Sequence, residues 1–112
     1  MADDRLPTWL YLEGHLKTLD QQAVYYYIHQ RGAPASGLIL LKINPLDGTA
    51  LLLTQQRDLD GVMGWMRLMK GEAVPDAEAD AYIRRAMDRD PDLWVIEIED
   101  KNKKNPFEGK VF

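Results

Sequence analysis

Tyr82-Ile83-Arg84-Arg85-Ala86-Met87-Asp88-Arg89-Asp90-Pro91-Asp92-Leu93-Trp94-Val95-Ile96-Glu97-Ile98-Glu99-Asp100 changes its periodicity across a single Asp-Pro step. Before that step, Ala79, Tyr82, Ile83, Ala86 and Met87 recur at i, i+3, i+4, i+7 and i+8, an apolar stripe along one side of a helix. Asp76, following Val74-Pro75, is placed to cap it. Glu78 and Asp80 suit the positive end of the helix dipole, and Arg84, Arg85 and Arg89 the negative end. Pro91 biases Asp90 away from helical geometry and stops the element. Beyond it the pattern alternates from Leu93 to Glu99: Trp94, Ile96 and Ile98 share one face, Val95, Glu97 and Glu99 the other.

Working outward, Leu6-Pro7-Thr8 opens a helix over 8–20, with Thr8 capping its first amides or Pro7 in its first turn. Trp9, Leu12, Leu16 and Leu19 form its apolar stripe, and Gly14 weakens it by about 1 kcal/mol relative to alanine. Ala23 to Arg31, with Val24-Tyr25-Tyr26-Tyr27-Ile28 at its centre, favours a strand. After the turn Gly32–Gly37, Leu38-Ile39-Leu40-Leu41-Lys42-Ile43 is apolar in both phases, as in a strand covered on both faces. Asn44-Pro45-Leu46-Asp47-Gly48 signals a hairpin, with positive φ available at Gly48, and Thr49 to Arg57 is the third strand. Val62 to Lys70 reads two ways. Met63, Met66 and Met69 at intervals of three suit a helix, whereas Trp65, Arg67 and Met69 alternate as in a strand. Glycines at 61, 64 and 71 leave little room for a stable helix, so a fourth strand is expected.

The order α-β-β-β-β-α-β describes an α+β domain, a mainly antiparallel sheet of about five strands with two helices on one face. At 112 residues the chain makes a single domain, expected over 1–100, with 101–112 as a basic, flexible tail. Net charge is −4; four lysines and one glutamate give the tail +3, which leaves −7 on the rest. An acidic body repels phosphates, so a nucleic-acid partner is disfavoured unless the basic tail delivers it. The absence of cysteine removes disulfides, thiolate metal sites and cysteine nucleophiles. A polar N-terminus and no apolar run near ~18 residues point to a cytoplasmic protein with no membrane partner.

Several stretches together resemble a known family. Arg5-Leu6-Pro7 ahead of a tryptophan-bearing helix, Tyr27–Gly32 leading to Gly37–Asn44, Leu46–Ala50, and above all Arg89–Asp100 look like an alphaproteobacterial domain-of-unknown-function family, number 1491. The resemblance covers about residues 5–101. It implies a bacterial, single-domain cytoplasmic protein, and it brings no activity, cofactor or catalytic residue with it.

Candidate chemistry is sparse. Glu99-Asp100-Lys101 after Pro91-Asp92 matches in outline a nuclease pattern in which two carboxylates hold a divalent metal. Asp92 and Glu99 bracket one strand, however, and stand about 20 Å apart when it is extended. Glu97 and Glu99 share a face, but paired carboxylates on a strand are more often a solvated surface; a metal-assisted hydrolase would need Asp60 or Glu72 to converge with them. His15 and His29 lie on different elements with no motif linking either to a nucleophile. No catalytic residue, metal ligand or cofactor is assigned. The best site candidate is the strand face bearing Tyr25, Tyr27 and His29, with Arg31 in phase, an aromatic surface with polar neighbours.

Three functions are therefore weighed. The first is a non-enzymatic domain acting by protein–protein contact, with a partner or as a homodimer, on the strength of apolar sheet surface at Leu38, Leu40, Leu51 and Leu53. The second is a ligand- or RNA-binding module built on Tyr25, Tyr27, His29 and Arg31. The third, a metal-assisted hydrolase, has the least support.

Overall fold

A computed structural model describes residues 6–102, 105–107 and 111. Helix α1 (Thr8–Gln21) is followed by strands β1 (Tyr26–Gln30), β2 (Ile39–Asn44), β3 (Thr49–Arg57) and β4 (Met63–Arg67). A 3-10 turn (Met69–Gly71), a two-residue strand β5 (Val74–Pro75), helix α2 (Asp76–Arg89) and strand β6 (Trp94–Glu99) complete the order. The sheet runs β1-β6-β2-β3-β4, with β5 added against β3. The α+β reading with two helices holds, and β5 is the strand that composition did not announce. Neighbouring strands are antiparallel except β2 and β6, which are parallel, with Lys42 beside Glu97 and Asn44 beside Glu99. The segment 62–70 resolves into a short strand and a 3-10 turn, as its glycines require.

The helices do not share a face, contrary to expectation. Leu12, Leu16 and Leu19 of α1 pack on Ile39, Leu41 and Ile43 of β2, Leu51 and Leu53 of β3, and Trp94, Ile96 and Ile98 of β6. Ala79, Ile83 and Ala86 of α2 pack on Leu40, Leu52 and Val95, which point the other way. The reason lies in the central strands, which are apolar in both phases: two helices on one side would have left one face wet. The leucines that suggested an interface are consumed accordingly, since Leu40, Leu51 and Leu53 are buried and only Leu38 stays exposed.

Local details adjust other expectations. Trp9 lies at the margin of the α1 stripe and is 45% exposed. Neither Thr8 nor Asp76 caps its helix; each is the first helical residue, preceded by a proline. The Thr8 hydroxyl donates instead to Gly37 O at 2.8 Å. In the β2–β3 hairpin, Gly48 takes a φ of 87°, and Asn44 Oδ1 and Asp47 Oδ1 accept from Leu46 N and Thr49 N. Of the stretch expected as a flexible tail, residues 103–104, 108–110 and 112 lie outside the described ones. Phe107 within it is buried, its ring 5.8 Å from Trp65 and 5.1 Å from His15.

The loop between β1 and β2 is pinned to the start of β6. Ala33 N donates to Asp92 O, Trp94 Nε1 donates to Ala33 O at 2.8 Å, and Trp94 N donates to Leu38 O. A Cβ on Gly32 or Gly37 would collide with the Asp92 carbonyl oxygen. Two glycines here are therefore a packing requirement rather than a source of flexibility.

Candidate functional site

Strand β1 lies at one edge of the sheet, and its alternation decides what is displayed there. Tyr26 and Ile28 pack toward α1. Tyr27, and by the same alternation Tyr25 just before the strand, therefore project to the opposite face, the one α2 covers over β2, β3 and Val95 of β6 but leaves open over β1. Both are exposed, at 64% and 56%. Tyr27 meets the His29 ring edge-on, with centroids 4.8 Å apart.

Arg31 does not join them by simple alternation. The register shifts between Ile28 and Gln30, a bulge that places Gln30 opposite Val95. Arg31 follows the end of the strand and is exposed, and with Gln30 in phase with Val95 it falls out of phase with Tyr27. Of the four predicted residues, three share the open face and the bulge sets Arg31 apart.

Beside them runs a charged network that links β1 to α2. His29 Nε2 is 2.7 Å from Glu97 Oε1, and Asn44 Nδ2 donates to Glu97 Oε2 at 3.0 Å. Lys42 Nζ lies 3.5 Å from Glu97, 2.7 Å from Asp76 Oδ1 and 2.8 Å from Asp80 Oδ1. Among the described residues, Lys42 is the buried charge of the core, only 3% exposed. Burial opposes its ammonium form, but contacts with Asp76 and Asp80 and the charge of Glu97 outweigh this and raise its pKa. Burial likewise opposes ionised Glu97; hydrogen bonds from Asn44 and His29 and the charge of Lys42 prevail and lower its pKa.

Sequence reasoning passed over Lys42, Asn44, Asp76 and Asp80 as partners. The signal was there: Lys42 is in phase with Leu40 inside a run covered on both faces, so its charge needed company. Asp76 and Asp80, four apart at the start of α2, stand on one side of that helix.

The hydrolase arrangement is not assembled. Asp60 sits in the β3–β4 turn at the far edge of the sheet from β6. Among the described residues, no three histidine or carboxylate side chains gather closely enough to hold a metal ion. His15 is bonded to its own helix, Nδ1 2.9 Å from Tyr11 O, and stacks on the Tyr11 ring. Within the same residues, no helix is long and apolar enough to cross a membrane.

Residues 6–108 match the family model described as "Protein of unknown function (DUF1491)". The chain belongs to the DUF1491 family. The match runs past residue 101, where the resemblance in the sequence stopped, and takes in the buried Phe107. Among solved structures, a crystal structure of a DUF1491 family protein from Caulobacter crescentus CB15 is similar at a TM-score of 0.84. Its identity to this chain is 27%, over 96% of this chain and 99% of that one. An NMR structure of a DUF1491 protein from the same organism gives a TM-score of 0.80 at 27% identity, covering 96% and 97%. Protein Atu0922 from A. tumefaciens shares the fold at a TM-score of 0.68 and 22% identity, over 86% of each chain. No curated protein matches this DUF1491 chain.

Proposed function

We propose that this DUF1491 domain acts by binding another protein rather than by catalysis, through the part of its sheet that α2 leaves open. The observation that carries the reading is the exposure of Tyr25, just before β1, and Tyr27, within it, on a backbone held to β6 by the strand pairing and by Glu99 N donating to Tyr25 O. Tyrosines of this kind offer large, rigid contact area at small entropic cost. The nearby ionisable groups support a structural use for themselves: His29, Glu97, Lys42, Asp76 and Asp80 are spent on one another. The outer edge of β1 is also unpaired among the described residues, so an extended partner segment could align along it. A cysteine-free chain fits the reducing cytoplasm as the place of action.

The test compares the full chain with Tyr25→Ser/Tyr27→Ser, both tagged, in crosslinked lysate of the native cell. Both side chains are exposed, so circular dichroism should show the variant folded. The expected result is a protein retained by the unaltered chain and lost from the variant. Identical retention by both would overturn the reading. Light scattering adds the homodimer case: self-association abolished by the variant would identify the partner as a second copy.

A further inference from the structure

We propose that the partner presents a lysine or arginine side chain, received between the ring of Tyr25 and the carboxylate of Glu99. This rests on the protein-contact reading above and names the chemistry of its partner.

Tyr26 pairs with Ile98 and Tyr27 with Glu97, which sets Tyr25 opposite Glu99; there Glu99 N donates to Tyr25 O at 3.0 Å. Directly opposed side chains of an antiparallel pair hold their Cβ atoms about 5 Å apart. A cation within about 6 Å of an aromatic centroid is attracted by the ring face. One guanidinium or ammonium lying on Tyr25 therefore also reaches the Glu99 carboxylate.

Charge decides between a cation and an anion. The two glutamates of β6 on this face are in different situations. Glu97 is met by His29, Asn44 and Lys42. Glu99 meets no cation among the described residues. Asp76 and Asp80, 44% and 39% exposed, keep much of their surface in water beyond Lys42. An anionic ligand would have to use Lys42, which is buried under three carboxylates, or His29, which is held by Glu97. The whole chain carries a net charge of −4. A basic peptide is complementary to this face, and a phosphate-bearing polymer is not.

The test is an NMR titration of the labelled full chain with an acetylated, amidated hexapeptide of alternating glycine and arginine. The same peptide with glutamate in place of arginine is the control. The expected result is movement of the Tyr25, Tyr27 and Glu99 amide signals with the arginine peptide alone. Glu99→Gln should weaken that binding about fivefold, the most that an exposed ion pair commonly supplies. Glu78→Gln, the same charge change on the exposed side of α2, should leave it unchanged. An equal response to the glutamate peptide would overturn the proposal, as would binding indifferent to Glu99→Gln. A lysate partner lost by Tyr25→Ser/Tyr27→Ser but held by Glu99→Gln would overturn only the cation inference and leave the docking face standing.

Discussion

Lys42 Nζ stands 2.8 Å from Asp80 Oδ1, a bond from the middle of the sheet to the first turns of α2 made by a lysine only 3% exposed. With Asp76 on one side and Glu97 on the other, this ammonium ties α2, β2 and β6 together.

Stability should accordingly have both an acid and an alkaline limb. Glu97 titrates below its ordinary value of 4.5 in the fold, so its contribution is present above that pH and lost as pH falls through the folded value. Lys42 titrates above its ordinary 10.5, so its contribution is complete below that pH and lost as pH rises through the folded value. Urea denaturation across pH should show a plateau between the two limbs. Lys42→Met should lower stability at neutral pH by about 2–3 kcal/mol, moderated because Asp76 and Asp80 keep contact with water. It should also flatten the alkaline limb; an unchanged midpoint and pH profile would contradict this account.

Glycines at different places should respond in opposite directions. Gly32→Ala places a methyl against the Asp92 carbonyl, and moving that backbone should cost about 2–3 kcal/mol. Gly14→Ala meets nothing, because the helix has open space there, and should add up to about 1 kcal/mol. Thermal melting of the two variants checks both signs, and a stabilised Gly32→Ala would show that the loop is not pinned as described.

Phe107 tests where the domain ends. Its ring is 4% exposed and stands against Trp65, His15 and Tyr11. Phe107→Ala should lower stability by about 3 kcal/mol, the low end of the usual cost of losing a core phenylalanine. A loss under about 0.5 kcal/mol would mean the fold closes without this segment.

Much of this architecture was legible because its signals are local. Thr49–Arg57 is bounded by a turn on each side, and the strand has the bounds its pattern predicts. The Asp-Pro step ends α2 and opens β6 by steric rules that need no tertiary context. The layering was not legible, because strand order arises from contacts between distant residues. Nothing near Trp94–Glu99 announces that it lies between β1 and β2. For the same reason the aromatic face could be picked out while its limits could not. Alternation put Tyr25, Tyr27 and His29 together, but the bulge that separates Arg31 depends on pairing with Val95, which no local pattern encodes.

The position of β6 also governs the order in which the molecule can assemble. Strand β6 follows β1–β5 in the chain yet is laid between the first two, so among the described strands β1 has no neighbour until Glu99 has left the ribosome. A nascent chain can close the β2–β3–β4 meander early, yet it must hold the tyrosine-rich β1 unpaired until β6 has emerged. Completion of the sheet is a late, long-range event, slowed by the loop that must close before the strand can dock. The tyrosines that the finished fold displays are thus also the ones its unfinished form leaves longest without shelter.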